Sequence, residues 1–556
     1  MTAQLVDAKP SVEDAVIKQL RPPRGMSWKY RLRLSGVPLL ARLGHALGMN
    51  WLRLGERLGR ETLIAQTRSF RNGRLNSSRA KSLDIVFLTM LGGHTHNVSV
   101  DAVLALALSR RGHRIKFVLC DQALPICEVK KAGREKEWQH ACAKCYGFGR
   151  AFLTSVGFEV VSASELAQGA TLGAPDRWHE IVDASLLKHY LVGIAPRTEE
   201  SEVRRQMLRE SASISTAVGM ALIRMRPDRV IMSHGLYTTW GPQRELLNEA
   251  EIPVVTYSKT KKRGAQKFNW TVSADWWDVS AEWARVKDTE LTPAQEQRID
   301  RYLESRRTHS NDTVVYNFGA EETSEDLRAR LGLDQQKPTF VLFTNVLWDA
   351  AAIQREIVFE NPIEWVMQTI EWFASHSEKQ LVIKIHPAEV VIGTNQPFAS
   401  LIASRFPKLP ANVRVIEPRE IINSWSVIHI ADAGLVHTST VGLELPLEGV
   451  PCVLVSRTYF RGAGFTTDVS TRDEYFNFLE TFDTSQVDRV HLQTLAKRFA
   501  FLLFERAQIP FPFLHEISHT DVRALRFASA EDLLQDENMA LIVEAIEGER
   551  QFLTPA

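Results

Sequence analysis

Apolar residues come in short blocks along residues 83–258, separated by segments in which they recur at helical spacing. The blocks "LDIVFLTM" (83–90), "RIKFVLC" (114–120), "FEVVSA" (158–163), "RVIMSH" (229–234) and "PVVTYS" (253–258) have the length and side chains of buried strands. Between the first two, "VSVDAVLALALSRRGH" has helical spacing and closes near a glycine. Strand, helix, strand in that rhythm predicts a parallel sheet with helices on its faces. A polar, charge-rich helical region follows over about 280–335, and the alternation then restarts. Its strands are expected at 339–345, 381–386, 413–416, 426–432, 433–438 and 451–456. The predicted fold class is therefore α/β, with two doubly wound, Rossmann-type domains facing a central cleft at their strand C-termini, where open α/β sheets bind ligands. The boundaries expected are a basic helical extension over 1–80, a first domain over 81–320, a second over 321–515 and a helical segment over 516–556.

Length agrees with this division, because 556 residues exceed what one ordinary core supports. A hydrophobic content of 44% with 24% charged residues is that of a soluble globular protein. There is no apolar run of the length a membrane span needs, and "MTAQLVDAKPSVEDAV" lacks the pattern of a secretory signal, so a cytoplasmic protein is expected. The net charge of +1 hides an asymmetry, since residues 1–82 carry 16 Lys and Arg against 5 Asp and Glu. Within that segment Leu39, Leu40, Leu43, Leu47, Trp51, Leu54 and Leu58 lie three or four apart, with Arg42, Arg53, Arg57 and Arg60 on other faces. Such a helix suits an anionic membrane surface at the inner leaflet, and equally suits docking on the protein's own body. Nucleic acid is not an expected partner, because no aromatic-basic platform recurs in the body of the chain.

The candidate chemistry of the second half begins at "LVIKIHPAE" (381–389). His386 ends a strand, and Pro387 restrains it from relaxing into a helix. A histidine so placed can donate to, or set positive charge against, a leaving phosphate, and Glu389 can orient the ring or meet a sugar hydroxyl. The plain alternative is a strand-terminating histidine capped by water. Farther on, "HTSTVGLELPLEG" places Thr438, Ser439 and Thr440 where a strand gives way to a helix, with Glu444 one turn in. Hydroxyls and open backbone N–H groups there make an anion site or, more simply, an N-cap.

"LFTNVLWDA" (342–350), "KIHPAE" (384–389), "TSTVGLE" (438–444) and "YFRGAGFTTD" (459–468) follow one another in the order found in a known family. The second half resembles GT-B glycosyltransferases of bacterial capsule and surface polysaccharide assembly. The His-Pro pair with its downstream hydroxyls is also similar to that of sialyltransferases, Kdo transferases and CDP-glycerol phosphotransferases, which use cytidine nucleotide donors. The resemblance covers about residues 83–480. It implies that His386, Pro387, Ser439 and Thr440 face the donor phosphate and that Glu444 holds the ribose.

In the first half, "MLGGHTHNVS" follows the first strand. Gly92 and Gly93 permit close backbone approach to a ligand, and His94 or His96 is a candidate general base for an acceptor hydroxyl. The two histidines are alternatively a metal pair, with Asp101 the one carboxylate near in sequence, or ordinary loop residues. His234 ends another strand, and Tyr237 and Trp240 are candidates to stack on acceptor sugar rings.

Cys120, Cys127, Cys142 and Cys145 cluster within 120–145, expected as a small insertion over the cleft rim. Clustered thiols in a reducing compartment fit a structural zinc, an iron–sulfur cluster or reduced cysteines without a ligand. The leading expectation is a glycosyltransferase moving a sugar from a nucleotide-sugar donor to a surface or capsular glycan or glycolipid acceptor, with no cofactor for catalysis. The alternatives are a polyol-phosphate transferase of the CDP-glycerol type, a sugar-nucleotide epimerase, and a non-catalytic nucleotide-sugar-binding scaffold of an assembly complex.

Overall fold

A computed structural model describes residues 51–70, 82–169, 175–315, 319–516 and 520–556. Its strands are β1 (Asp84–Met90), β2 (Arg114–Leu119), β3 (Glu159–Ser162), β4 (Arg229–Ser233), β5 (Val254–Lys259) and β6 (Ala265–Trp270). The second half carries β7 (Thr339–Phe343), β8 (Gln380–Lys384), β9 (Val413–Ile416), β10 (Ala433–Val436), β11 (Cys452–Leu454) and β12 (Thr467–Asp468). Last come β13 (Ile509–Pro510), β14 (Leu514–Glu516) and β15 (Val522–Leu525).

The first sheet has the order β13-β6-β5-β4-β1-β2-β3, and the second β12-β11-β10-β7-β8-β9. β3, β2, β1, β4 and β5 run parallel, whereas β6 and β13 add an antiparallel edge. Every pairing in the second sheet is parallel. β7 and β8 are buried along their whole length, which is why their sequences read as unbroken apolar runs. Strand order reverses between β1 and β4 and again between β7 and β10, so each sheet has a ligand crevice at those strand ends.

Three expectations about elements are corrected. Residues 426–432 are not a strand: Ser424–His429 is a helix, started by Asn423, whose side chain accepts from the Trp425 N–H at 2.8 Å. A buried apolar run of that length carries no period that separates strand from helix. The strands β6 and β13 were not foreseen. Lys267 and Asn269 interrupt the apolar pattern of the first, and the second is two residues long with a proline at the sheet edge. The segment 516–556 is not helical throughout, since β14 and β15 form a hairpin before the helices Ala530–Gln535 and Glu537–Gly548.

The chain leaves the first domain near Val279, builds the second core up to Ala507, and then returns. Ile509, Phe511, Phe513, Val522, Leu533, Ile542 and Phe552 all lie in the first core, packed with Val103 and Leu106 of the helix Thr95–Arg110. Glu547 beside that helix takes a two-pronged bond from Arg111 and another from His113.

Residues 1–50 and 71–81 lie outside the described residues, and with them most of the basic extension and its membrane-surface reading. The described part, the helix Trp51–Ser69, docks internally over its second half. Leu63 is in the first core, Gln66 bonds the Leu525 backbone both ways, and Arg60 lies over the Phe148 ring at 5.1 Å. Among the described residues no helix is long and apolar enough to cross a membrane.

Candidate functional site

At the β7/β10 reversal the polar residues of the second domain converge. β7 runs into Thr344 and Asn345, which hold the loops on either side. Thr344 Oγ1 accepts from the His386 N–H at 3.0 Å, and Asn345 Oδ1 accepts from the Thr438 N–H at 3.3 Å. Past β8, Pro387 opens the short helix Ala388–Val391, and the Ala388 N–H donates to His386 Nδ1 at 3.0 Å. That bond leaves the ring proton on Nε2. Burial, with the charges of Lys261 and Lys384, lowers the imidazole to about 4. At neutral pH His386 is therefore a neutral donor, not a cation.

On the β10 side, Thr438 and His437 are buried, and Thr438 Oγ1 and His437 Nδ1 have no hydrogen-bond partner among the described residues. Buried hydroxyls without partners are uncommon, and this one lies at the strand-end crevice. Ser439 Oγ accepts from the Val441 N–H at 3.3 Å, and Thr440 bonds Tyr459.

Two acidic assignments are corrected. Glu444 does not face a ribose. It is buried in an ion pair with Arg306 of the helix Pro293–Arg307, and Arg306 also meets Asp312 at 3.2 Å. Burial alone would raise the Glu444 carboxyl, but Arg306 and Lys261 more than offset that and hold it below its ordinary range. Glu389 does not orient His386 either. Its oxygens accept from the Phe398 N–H at 3.2 and 3.4 Å, and burial raises it to about 7.

Across the cleft the turn between β5 and β6 brings Lys261. It is solvent-accessible yet crowded, and desolvation with the Arg306 charge lowers its ammonium to about 8. Its charge acts on both His386 and Glu444, so it stands between the two domains' contributions. The domains also meet through an Arg355–Asp275 ion pair and through Gln396, whose Oε1 accepts from the Gly193 and Ile194 N–H groups at 2.9 Å each.

The β1 end differs from expectation. Gly92 and Gly93 admit not a ligand but the helix Glu135–Val156. A Cβ on Gly92 would lie 2.9 Å from Gly149 Cα, and one on Gly93 2.9 Å from Cys145 Cα. Gly92→Ala is accordingly expected to lose about 1–3 kcal/mol through overpacking against backbone that cannot yield. Thermal denaturation checks this, and an unchanged melting temperature would contradict the close packing. His94 is the N-cap of the helix Thr95–Arg110. His96 is corrected as a base: it is buried, with Nε2 3.2 Å from Glu516 and 3.0 Å from the Gln266 amide. Desolvation lowers its pKa despite that carboxylate. Asp101 joins no metal pair, because its oxygens take the Thr89 and Tyr257 hydroxyls, each at 2.7 Å.

Of the acceptor candidates, His234 is half-buried at φ 60° and stacks on Trp240 at 5.8 Å. Trp240 is corrected as a sugar platform, since it is 2% exposed and its indole N–H donates to the Leu88 carbonyl. Tyr237, at φ 54°, lines a recess where the domains meet. The four thiols lie near one another, and Gly93 N–H donates to Cys145 Sγ at 3.0 Å. Burial pushes Cys120, Cys127 and Cys145 up toward the protonated form. Among the described residues no group of three or more His, Cys, Asp or Glu side chains is placed to hold a metal.

Sequence reasoning missed Thr344, Asn345, Lys261 and Arg306. The basic run "KTKKRG" (259–264) before β6 was a visible signal for Lys261. Arg306 carried none, because it sits on a helix rich in charge.

Residues 292–498, which span most of the second domain, match the family model described as "Capsule polysaccharide biosynthesis protein". Among solved structures, the chain is similar to KpsC of Thermosulfurimonas dismutans, a beta Kdo 2,4 transferase. Identity there is 16% and TM-score 0.32, over 50% of this chain and 80% of that one. The calicheamicin glycosyltransferase CalG4 matches at 16% identity and TM-score 0.25, over 75% and 94% of the two chains. A UDP-GlcNAc 2-epimerase from Neisseria meningitidis matches at 10% identity and TM-score 0.24, over 75% and 98%. No curated protein sequence matches the chain.

Proposed function

We propose that the protein is a glycosyltransferase that moves a sugar from a nucleotide donor to a capsular or surface glycan. The observation that supports this best is the crevice between β7 and β10. There a buried, unpartnered Thr438 hydroxyl lies across the paired Thr344 and Asn345 from His386, with Lys261 facing from the other domain. These groups suit a phosphate whose charge grows as the sugar leaves: a neutral Nε2–H donor, a hydroxyl donor and one ammonium. Arg306 and Glu444 hold the floor of the crevice rather than the donor, and Ser439 with Thr440 shapes its rim. The capsule family match over 292–498 covers all of these except Lys261. In this reading the acceptor glycan enters from the first domain.

Incubation with CMP-, CDP-, UDP- and GDP-sugars and with CDP-glycerol tests the assignment. Slow nucleotide release from one sugar donor is the expected result. Release from CDP-glycerol alone would indicate polyol-phosphate transfer, interconversion of the sugar an epimerase, and nucleotide binding with no turnover of any donor a scaffold.

A further inference from the structure

A second recess lies where the first domain meets the β7 loop, a small cavity of about 50 Å³ with room for a hydroxyl or a water. Glu128, Lys188 and Tyr237 line it from the first domain, and Trp348 from the second. Each of these comes from the C-terminal side of a parallel strand or from the helix beside it. Glu128 lies in the loop after β2, Tyr237 begins the helix after β4, and Trp348 follows β7. Trp348 also packs on Ala388, two residues from His386, so the recess adjoins the proposed donor crevice.

We propose that Glu128 is the catalytic base of the transfer reaction, and that the recess holds the acceptor hydroxyl whose proton Glu128 removes. The inference rests on the glycosyltransferase reading above. In the step, the acceptor oxygen forms its bond to the anomeric carbon as the bond from that carbon to the donor phosphate oxygen breaks. The electron pair of the broken bond leaves on the phosphate, and the hydroxyl proton passes to the Glu128 carboxylate, which later returns it to water.

The carboxylate is held in place for this. Glu128 is half-buried, Thr239 Oγ1 donates to its Oε2 at 2.6 Å, and the Glu128 backbone N–H also bonds the carboxylate, so the group is fixed in place at the recess. Its surroundings are mixed. Lys188, on the helix His179–Tyr190, lies over the Trp348 ring at 4.0 Å and its charge favours the ionised form, and Lys130 and Lys131 line the same recess. His189 on the same helix is tied to the Lys130 carbonyl at 2.8 Å, and desolvation keeps it neutral. Cys127 and Tyr237 are held protonated by burial, and both feel the Glu128 charge. Asp349, exposed on the β7 loop, acts on Lys188 and Tyr237 from the far side. Desolvation outweighs the Thr239 bond and Lys188, and raises Glu128 to about 7, the range in which a carboxylate is an effective base at neutral pH.

The test uses the full chain and the nucleotide sugar that gives release in the donor panel, with water in the acceptor place. Glu128→Gln keeps the size of the side chain and can still accept from Thr239. It is expected to slow release by about 10²–10⁴-fold while the affinity for the product nucleotide, measured by calorimetry, stays at the wild-type value. Wild-type release is expected to fall as pH drops below about 7, because the base is then protonated, and the residual rate of the variant to show no such limb. Unchanged release in Glu128→Gln, or an acidic limb that survives in it, overturns the assignment. So does Asp349→Asn if that variant, and not Glu128→Gln, loses the limb. A wild type that releases no nucleotide from any donor instead overturns the glycosyltransferase reading, and the base with it.

Discussion

His386→Ala is expected to lower nucleotide release by about 10²–10³-fold, the usual cost of removing one pre-placed donor from a developing oxyanion. The fold is expected to survive, because the ring is half-buried and its backbone N–H, held by Thr344, is unaffected. Circular dichroism and the melting temperature check the fold, and nucleotide release checks the rate. His386→Gln, which retains a donor, is expected to recover part of the loss. Since burial and the neighbouring lysines lower the imidazole to about 4, His386 remains neutral from pH 6 to 9 and contributes no titration to the profile there. Near-normal release in the alanine variant would remove His386 from stabilisation of the leaving group.

The other large effect is on stability. Arg306→Met removes the one guanidinium shared by Glu444 and Asp312, all three side chains being about 8% exposed or less. Breaking a buried pair by deleting one partner costs up to about 3–5 kcal/mol, and here Lys261 still acts on Glu444 and His309 on Asp312, which lowers that cost. The sign with pH follows from Glu444, whose carboxyl is held below its ordinary range. The pair's contribution is fully present above that ordinary range and is lost as pH falls through the lowered value. The deficit of the variant is therefore largest at neutral pH and shrinks as the carboxylates become protonated. Urea midpoints at pH 7 and pH 3 measure it, and Arg306→Met combined with Glu444→Gln is expected to recover part. A variant as stable as the wild type at pH 7 would mean that the pair contributes nothing.

The strands of both sheets were legible wherever burial on two faces leaves an unbroken apolar run, as in β1, β7 and β8. Where an element is short, polar or set at an edge, as in β6 and β13, the run is absent and the strand is invisible. His386 and Thr438 were legible because each ends such a run. The roles of Glu444, His96 and Trp240 were not, since what each side chain meets comes from residues distant in sequence. Arg306 is 138 residues from Glu444, and Trp240 donates to a carbonyl 152 residues away. No local pattern records such pairings. The same is true of Gly92, whose tight neighbour Gly149 arrives on a separate helix.

The return of the chain to its first domain has a consequence for biosynthesis. Residues 279–507 form an uninterrupted second core, whereas the first core stays open until Ile509 through Phe552 have been made. On a ribosome the half encoded later is then the half that can close first, and the earlier half must wait with the exposed edge of β6 and one side of the helix Thr95–Arg110 uncovered. Order of synthesis and order of folding are inverted. The interval between them is when the nascent chain is most exposed to aggregation, and when a chaperone would bind it.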